Sequence, residues 1–360
     1  MIISFPHMGA LSIVLQALFT SLGRKVILPP AISKRTLELG VKYSPEAVCL
    51  PFKITLGNFI EALDQGANTI VTCGGVGPCR LGYYAEVQKG ILQGLGYEFE
   101  MIIIEPNLVN IINNVHRIAP KHSLREIYSA FRLALAKMNA LDSIQRKVQT
   151  VRPREITRGA SDALWKTAMD EINTADTIPA LRTAWYDAEH KLDQEVKLKA
   201  GVNPLRIGVV GEIYVMLEPF VNLDLVRRLG QMGVEVHTTM QLSNYVNGHL
   251  FRKSEYLELF KHLTNLARPY LGHYVGGHGL KSIAYTVHMG QQNYDGMIHV
   301  FPFTCMPEVV AKNILPKVSN DVNIPVLSLA YDEQSGEAGV VTRLEAFIDL
   351  LEYRRSTNTY

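Results

Sequence analysis

The sequence predicts an α/β fold with two parallel-sheet units and a helical insert between them. Three observations predict it. In residues 1–105, short apolar, β-branched runs alternate with amphipathic segments, the pattern of βαβ units. Residues from 108 to 200 are instead rich in Ala, Leu, Lys, Arg and Glu, with few β-branched runs. From residue 205 the α/β alternation resumes. The expected division is an N-terminal α/β domain over 1–107, a helical connector over 108–203 and a C-terminal α/β domain over 204–360.

The elements follow in order. Residues 1–5 read as a strand, 9–22 as a helix, and 25–28 as a second strand ended by Pro29-Pro30. Residues 53–65 are amphipathic and helical. Residues 68–72 form a third strand that runs into Gly74-Gly75, 83–95 a helix, and 99–104 a fourth strand stopped by Pro106. Several helices fill the insert, where Arg146-Lys147 and Arg152-Pro153-Arg154 read as solvated helix faces or connectors rather than an acidic-partner site. In the last part, strands are expected over 205–210, 234–238, 296–302 and 324–329, and helices over 223–232, 250–267, 308–318 and 340–353. The two halves look alike in organisation but show no internal sequence repeat.

Composition bounds the function. A chain of 360 residues, 47% apolar, buries a sizeable core, and a formal net charge of +2 gives no field that draws nucleic acid or anionic lipid. No apolar run is long enough to span a bilayer. The first cations, Arg24 and Lys25, follow the N-terminal apolar stretch, unlike a signal peptide. The expectation is a cytoplasmic protein whose cysteines are reduced unless they bind something.

Cysteine is sparse, and each of the four, Cys49, Cys73, Cys79 and Cys305, lies in turn chemistry. Cys49 precedes Leu50-Pro51, Cys73 ends a strand, Cys79 closes Gly74-Gly75-Val76-Gly77-Pro78, and Cys305 precedes Met306-Pro307. All four leave a strand or enter a helix. In an open parallel sheet such loops gather at the carboxyl edge, where ligands bind. Helix N-termini there favour thiolate and stabilise an anionic cluster, and glycines let backbone N–H groups approach sulfur. Buried inert cysteine is the common alternative, but it does not explain four Gly/Pro turns. Four thiolates also suit structural zinc, and spacing alone leaves zinc and an iron–sulfur cluster open.

The blocks around these cysteines resemble the 2-hydroxyacyl-CoA dehydratase superfamily, nearest its activase-associated and double-cubane-cluster-like branch. They are Leu39-Gly-Val-Lys-Tyr-Ser-Pro-Glu46 leading to Cys49-Leu-Pro-Phe-Lys53, then Cys73-Gly-Gly-Val-Gly-Pro-Cys79-Arg-Leu-Gly-Tyr-Tyr84, and Gly276-Gly-His-Gly279. Asp295-Gly296, Pro302-Phe-Thr-Cys-Met-Pro-Glu308, Tyr331-Asp-Glu-Gln-Ser-Gly-Glu-Ala-Gly339 and Thr342-Arg-Leu-Glu-Ala-Phe347 complete them. The resemblance implies two flavodoxin-like domains with a cluster in the cleft between them, a [4Fe–4S] cubane or an [8Fe–9S] double cubane. It implies a partner, an ATP-hydrolysing activator of the actin-like ATPase fold that delivers electrons at very low potential, and a homodimer or related subunit. The substrate-binding dehydratases use three cysteines per cluster and leave one iron open. Four cysteines ligating one cubane leave none, which implies electron transfer, whereas Cys73 or Cys79 standing aside frees one for small-molecule chemistry. Some relatives carry cysteine at the position of Val76.

Other residues divide between a role and ordinary solvation. Lys53 and Arg80 each follow a cysteine near a helix start and are candidates to offset cluster charge. His278 lies in the glycine-rich block and is a candidate neighbour of the cluster, while His273, His288 and His299 read as loop or core histidines. Glu308 and Glu337 are the candidate acid/base groups. Glu308 in a first helical turn also suits the helix dipole, and Glu337 shares an acidic loop with Asp332 and Glu333 that also reads as a docking surface. Residues 208–212 resemble a nucleotide turn but lack its glycine spacing.

Overall fold

The computed structural model describes residues 1–75, 77–105, 107–249 and 253–357. Val76, Pro106 and residues 250–252, on which parts of the expectations above fall, lie outside the described residues.

The chain opens with β1 (Ile2–Ser4), α1 (Leu11–Ser21), β2 (Lys25–Val26), α2 (Lys34–Tyr43), α3 (Leu50–Asp64), β3 (Thr69–Cys73), α4 (Leu81–Gly94) and β4 (Glu100–Ile104). Four helices follow: α5 (Leu108–Ile118), α6 (Leu124–Val151), α7 (Ala160–Thr174) and α8 (Ile178–Gln194). The remainder is β5 (Leu205–Gly211), α9 (Ile213–Leu217), α10 (Leu225–Gln231), β6 (Val234–Thr238), α11 (Leu242–His249), α12 (Ser254–Ala267), α13 (Gly279–Gln291), β7 (Gly296–Pro302), α14 (Met306–Asp321), β8 (Val326–Tyr331) and α15 (Glu337–Thr357).

The strands form two four-stranded, all-parallel sheets, ordered β2-β1-β3-β4 and β6-β5-β7-β8. The fold is the expected pair of flavodoxin-like sheets. Register is fixed by pairs such as Ile3↔Thr69 in the first and Val209↔Ile298 in the second. Strands covered on both faces read as largely apolar runs, and β7 is buried at every position, His299 included. Helices α6, α7 and α8 pack on one another and on Val14 of α1 around a core that includes Leu141, Ile144, Ile172 and Leu192. Ser123 and Glu126 close a capping box that starts α6. Among the described residues, no helix is long and apolar enough to cross a membrane.

Helix α3 sits at the centre. Every residue from Leu50 to Leu63 is buried, so it lacks the polar face of a surface helix. One side, with Phe52, Leu56, Phe59 and Ile60, belongs to the core of the first sheet, whereas Leu50 and Ile54 belong to that of the second. A third side meets α2 at backbone distance. A Cβ on Gly40 would lie 1.8 Å from the Lys53 carbonyl oxygen, and one on Gly57 would lie 1.9 Å from that of Thr36.

The sequence pattern missed α2, α9, α11 and α13. Helix α2 packs through Gly40, and glycine in a helix interior lowers intrinsic propensity, so its stability comes from the crossing with α3. Helix α13 begins directly after Gly276-Gly277, where local composition reads as loop. Strand β8 lies two residues later than expected at each end, at Val326–Tyr331.

The close crossing makes a stability prediction. Gly40→Ala and Gly57→Ala should each lower the urea unfolding free energy by about 1–3 kcal/mol or more, because backbone must move. Gly90→Ala, on α4 with open space around its Cα, should raise it by about 0.4–1 kcal/mol.

Candidate functional site: a cysteine-lined cleft

In each sheet the strand order reverses beside the first strand, β1 against β3 and β5 against β7. Loops leaving the two central strands part there and open a crevice at the carboxyl edge. The two edges face each other. His7, just beyond β1, places Nδ1 2.9 Å from Glu218 Oε2, and Tyr214 Oη donates to the His7 carbonyl at 2.8 Å. The Gly9 N–H also donates to Glu218 Oε2, at 2.8 Å.

The cysteines come from these edges. Cys73 is the last residue of β3, and Cys79 lies one residue before Arg80, the N-cap of α4. Cys49 caps α3 and Cys305 caps α14, each followed by proline in the first turn, where a missing N–H costs nothing. The two sheets place them in related positions. Helices α4 and α14 each follow the third strand of their sheet, so Cys79 and Cys305 correspond. Helices α3 and α13 each precede that strand, so His278, the N-cap of α13, stands where Cys49 stands in the first unit.

Backbone conformation brings the loops together. Gly276 and Gly277 take φ of +91° and +46°, which side chains rarely adopt, and a Cβ on Gly276 would lie 3.0 Å from the Cys79 amide nitrogen. A Cβ on Gly279 would lie 2.2 Å from the Pro307 carbonyl oxygen. The glycine block of the second unit thus lies directly against the loops that carry Cys79 and Cys305.

The Cys49 thiol is electrostatically linked to those of Cys79 and Cys305. The charge of Cys79 raises the Cys49 thiol and that of Cys49 raises Cys305, although burial is the larger cause for both. Glu212, the N-cap of α9, adds its charge to Cys49, Cys79 and Cys305, and Glu308 acts on Cys79 and Cys305. Helix N-termini oppose this: the Glu308 N–H donates to the Cys305 sulfur and the Leu81 N–H to that of Cys79, each favouring thiolate. Arg80 lowers Cys79 further by its charge, while its guanidinium donates to the Ala47 carbonyl at 2.8 Å. Cys73 stands apart. It is solvent-accessible, and the charge of no other thiol acts on it.

The Cys49 sulfur contacts Tyr84 Oη, and the Tyr84 ring is set by an edge contact with Phe52 at 5.1 Å. Among the described residues, no three His, Cys, Asp or Glu side chains close into a ready-made metal-binding group. The donor set nevertheless suits a metal cluster in kind: the Cys49 thiol is within electrostatic reach of those of Cys79 and Cys305, Cys49 and Cys305 hold N-cap positions, and backbone N–H groups donate to the sulfurs of Cys79 and Cys305.

Residues 7–72 match the CoA enzyme activase uncharacterised domain. The match runs from the loop after β1 to the penultimate residue of β3 and contains Cys49 and Lys53. This part of the chain is similar to that domain. No curated protein matches the chain in sequence.

The remaining candidates fall in different places. Lys53 is buried and its Nζ lies 2.5 Å from Glu333 Oε1, so its charge is matched across the two units. Glu308 is fully buried, accepts from Ser282 Oγ at 2.8 Å and lies 2.8 Å from His299 Nε2. Its other oxygen has no hydrogen-bond partner among the described residues. His299 is the core histidine expected of it, and His288 lies in α13. Glu337 starts α15, exposed and paired with Arg228 at 2.6 Å. Glu212, Tyr84 and Tyr245 were not singled out as site residues. Glu212 follows the glycine that ends β5, the position of a switch-point ligand, and that was the available signal.

Two predictions follow from these charges. Lys53 is the more deeply buried partner, so Glu333→Gln leaves an ammonium unpaired and should cost about 2–4 kcal/mol of unfolding free energy, whereas Lys53→Met should cost under about 1 kcal/mol. Burial raises the Glu212 carboxyl from 4.5 to about 7. The folded, metal-free protein then holds a proton that the unfolded chain releases. That contribution is whole below about pH 4.5 and is lost as pH rises through about 7. Chemical denaturation across this range should show wild type losing about 3 kcal/mol relative to Glu212→Gln.

Proposed function

We propose that this chain is an iron–sulfur protein of the 2-hydroxyacyl-CoA dehydratase type, with the cluster held by Cys49, Cys79 and Cys305 in the cleft between the sheets. The observation that carries this reading is that thiols at three helix starts, drawn from both α/β units, lie at one cleft, with Cys49 in electrostatic reach of both Cys79 and Cys305. The ordered sequence blocks and the activase-related match over residues 7–72 support it. The bound cluster, a [4Fe–4S] cubane or an [8Fe–9S] double cubane, would supply one-electron chemistry at low potential. An ATP-hydrolysing activator is the expected electron donor.

The protein's own groups have definite tasks in this reading. Backbone N–H groups of Leu81 and Glu308 donate to sulfur and raise the potential, while the Glu212 and Glu308 carboxylates lower it. Arg80 offsets negative charge beside Cys79. Cys73, outside the mutual influence of the other thiols, favours a three-cysteine site with one iron open to a small molecule. That position supports reductive chemistry on a bound substrate, including the acyl-CoA dehydratase reading, over electron relay alone.

A cysteine series tests the assignment. In anaerobically purified protein, Cys49→Ser, Cys79→Ser and Cys305→Ser should each lower bound iron and the EPR signal of the reduced protein at least several-fold. Cys73→Ser should retain the cluster and alter only its EPR line shape. A Cys73→Ser variant as depleted as the others would establish four-thiolate ligation and return the protein to electron transfer.

A further inference from the structure

A cavity of about 300 Å³ lies beside the cleft, between α11, α12 and α13 at the carboxyl edge of the second sheet. Its walls are largely apolar and aromatic, with Tyr245, Phe260, Leu263 and Tyr285 beside the polar Asn244 and His278, and Lys281 enters from the first turn of α13. The Lys281 ammonium lies 5.8 Å from the Tyr245 ring centre and 5.6 Å from that of Phe260. Among the described residues it pairs with no carboxylate, and burial alone lowers it to about 8.

We propose that this cavity binds a small organic anion with an aromatic or branched apolar body, its carboxylate held by Lys281. An ammonium among apolar walls is costly unless a counter-charge joins it, and the ring contacts offset only part of that cost. An anion completes the pair, aided by the positive N-terminal end of α13. A cation is excluded by Lys281, and a neutral ligand leaves the ammonium unmatched. The volume is at the lower end for small-molecule sites, too small for a nucleotide-bearing ligand to enter whole.

The cavity also lies near the cysteines. Gly211 lines it and precedes Glu212, whose charge reaches three of the thiols. Tyr245 lines it and senses Cys73 and Cys79. A bound anion therefore sits next to the proposed cluster site. The inference goes beyond that reading and does not need it, since binding to resting protein requires neither reduction nor an activator.

The test is calorimetric titration of anaerobic full-length protein at pH 7 with phenylacetate and isovalerate, and with 2-phenylacetamide as the uncharged counterpart. The expected result is binding of at least one acid, with phenylacetamide at least tenfold weaker than phenylacetate if that is the acid bound, and isovaleramide the comparison otherwise. Lys281→Met should abolish the preference for charge, and Lys281→Arg should keep part of it, with circular dichroism confirming that both fold. Equal affinity for acid and amide in wild type, or no binding of either acid up to about 1 mM, overturns the proposal. Iron and sulfide measured on the same samples separate this outcome from the fate of the cluster.

Discussion

The structure depends on one buried helix. Helix α3 gives one side to each sheet's core and meets α2 through two glycines, so its axis has no freedom to shift. Its first residue is capped by Cys49, and one turn later Lys53 reaches the second unit at Glu333. The position of a thiol at the cleft is thereby set by apolar burial on both sides rather than by the thiol itself. A site that must hold sulfur ligands from two units needs such a rigid reference, because small displacements separate the ligands.

The second constraint comes from backbone polarity. A parallel sheet ends in helix starts, whose first N–H groups have no partner within the helix. Here those groups meet sulfur and carboxylate: Leu81 at Cys79, Glu308 at Cys305, and Val215 at Glu212 Oε2 with 3.0 Å. Because both sheets share one strand order, the same positions recur on both sides of the cleft. Gly276 lets the second edge close to contact with the Cys79 loop of the first, while Gly277 and Gly279 let the start of α13 pack on Pro307 of α14.

Much of this was legible in sequence. The strands announced themselves because parallel strands buried on both faces are largely apolar runs, as at Met297–Phe301, interrupted only by His299. The cysteine turns were visible because proline and glycine mark loop chemistry wherever they cluster. What was hidden depends on tertiary contact. Nothing in residues 34–43 reveals that Gly40 packs on a carbonyl, and nothing near Lys53 names Glu333 as its partner, 280 residues away. Glu212 looked like a failed nucleotide turn because its neighbours are the thiols of distant loops. Lys281 drew no attention, since a lysine in a helix is ordinarily solvated and only the fold places it among aromatic rings.

The most direct test of the central claim is the metal content of anaerobically purified full-length protein, measured as iron, acid-labile sulfide and zinc per chain. The account predicts iron and sulfide in near-equal amounts, about four of each for a cubane or about eight to nine for a double cubane, with an EPR signal on reduction. Stoichiometric zinc without sulfide would contradict it and make the three cysteines a structural metal site.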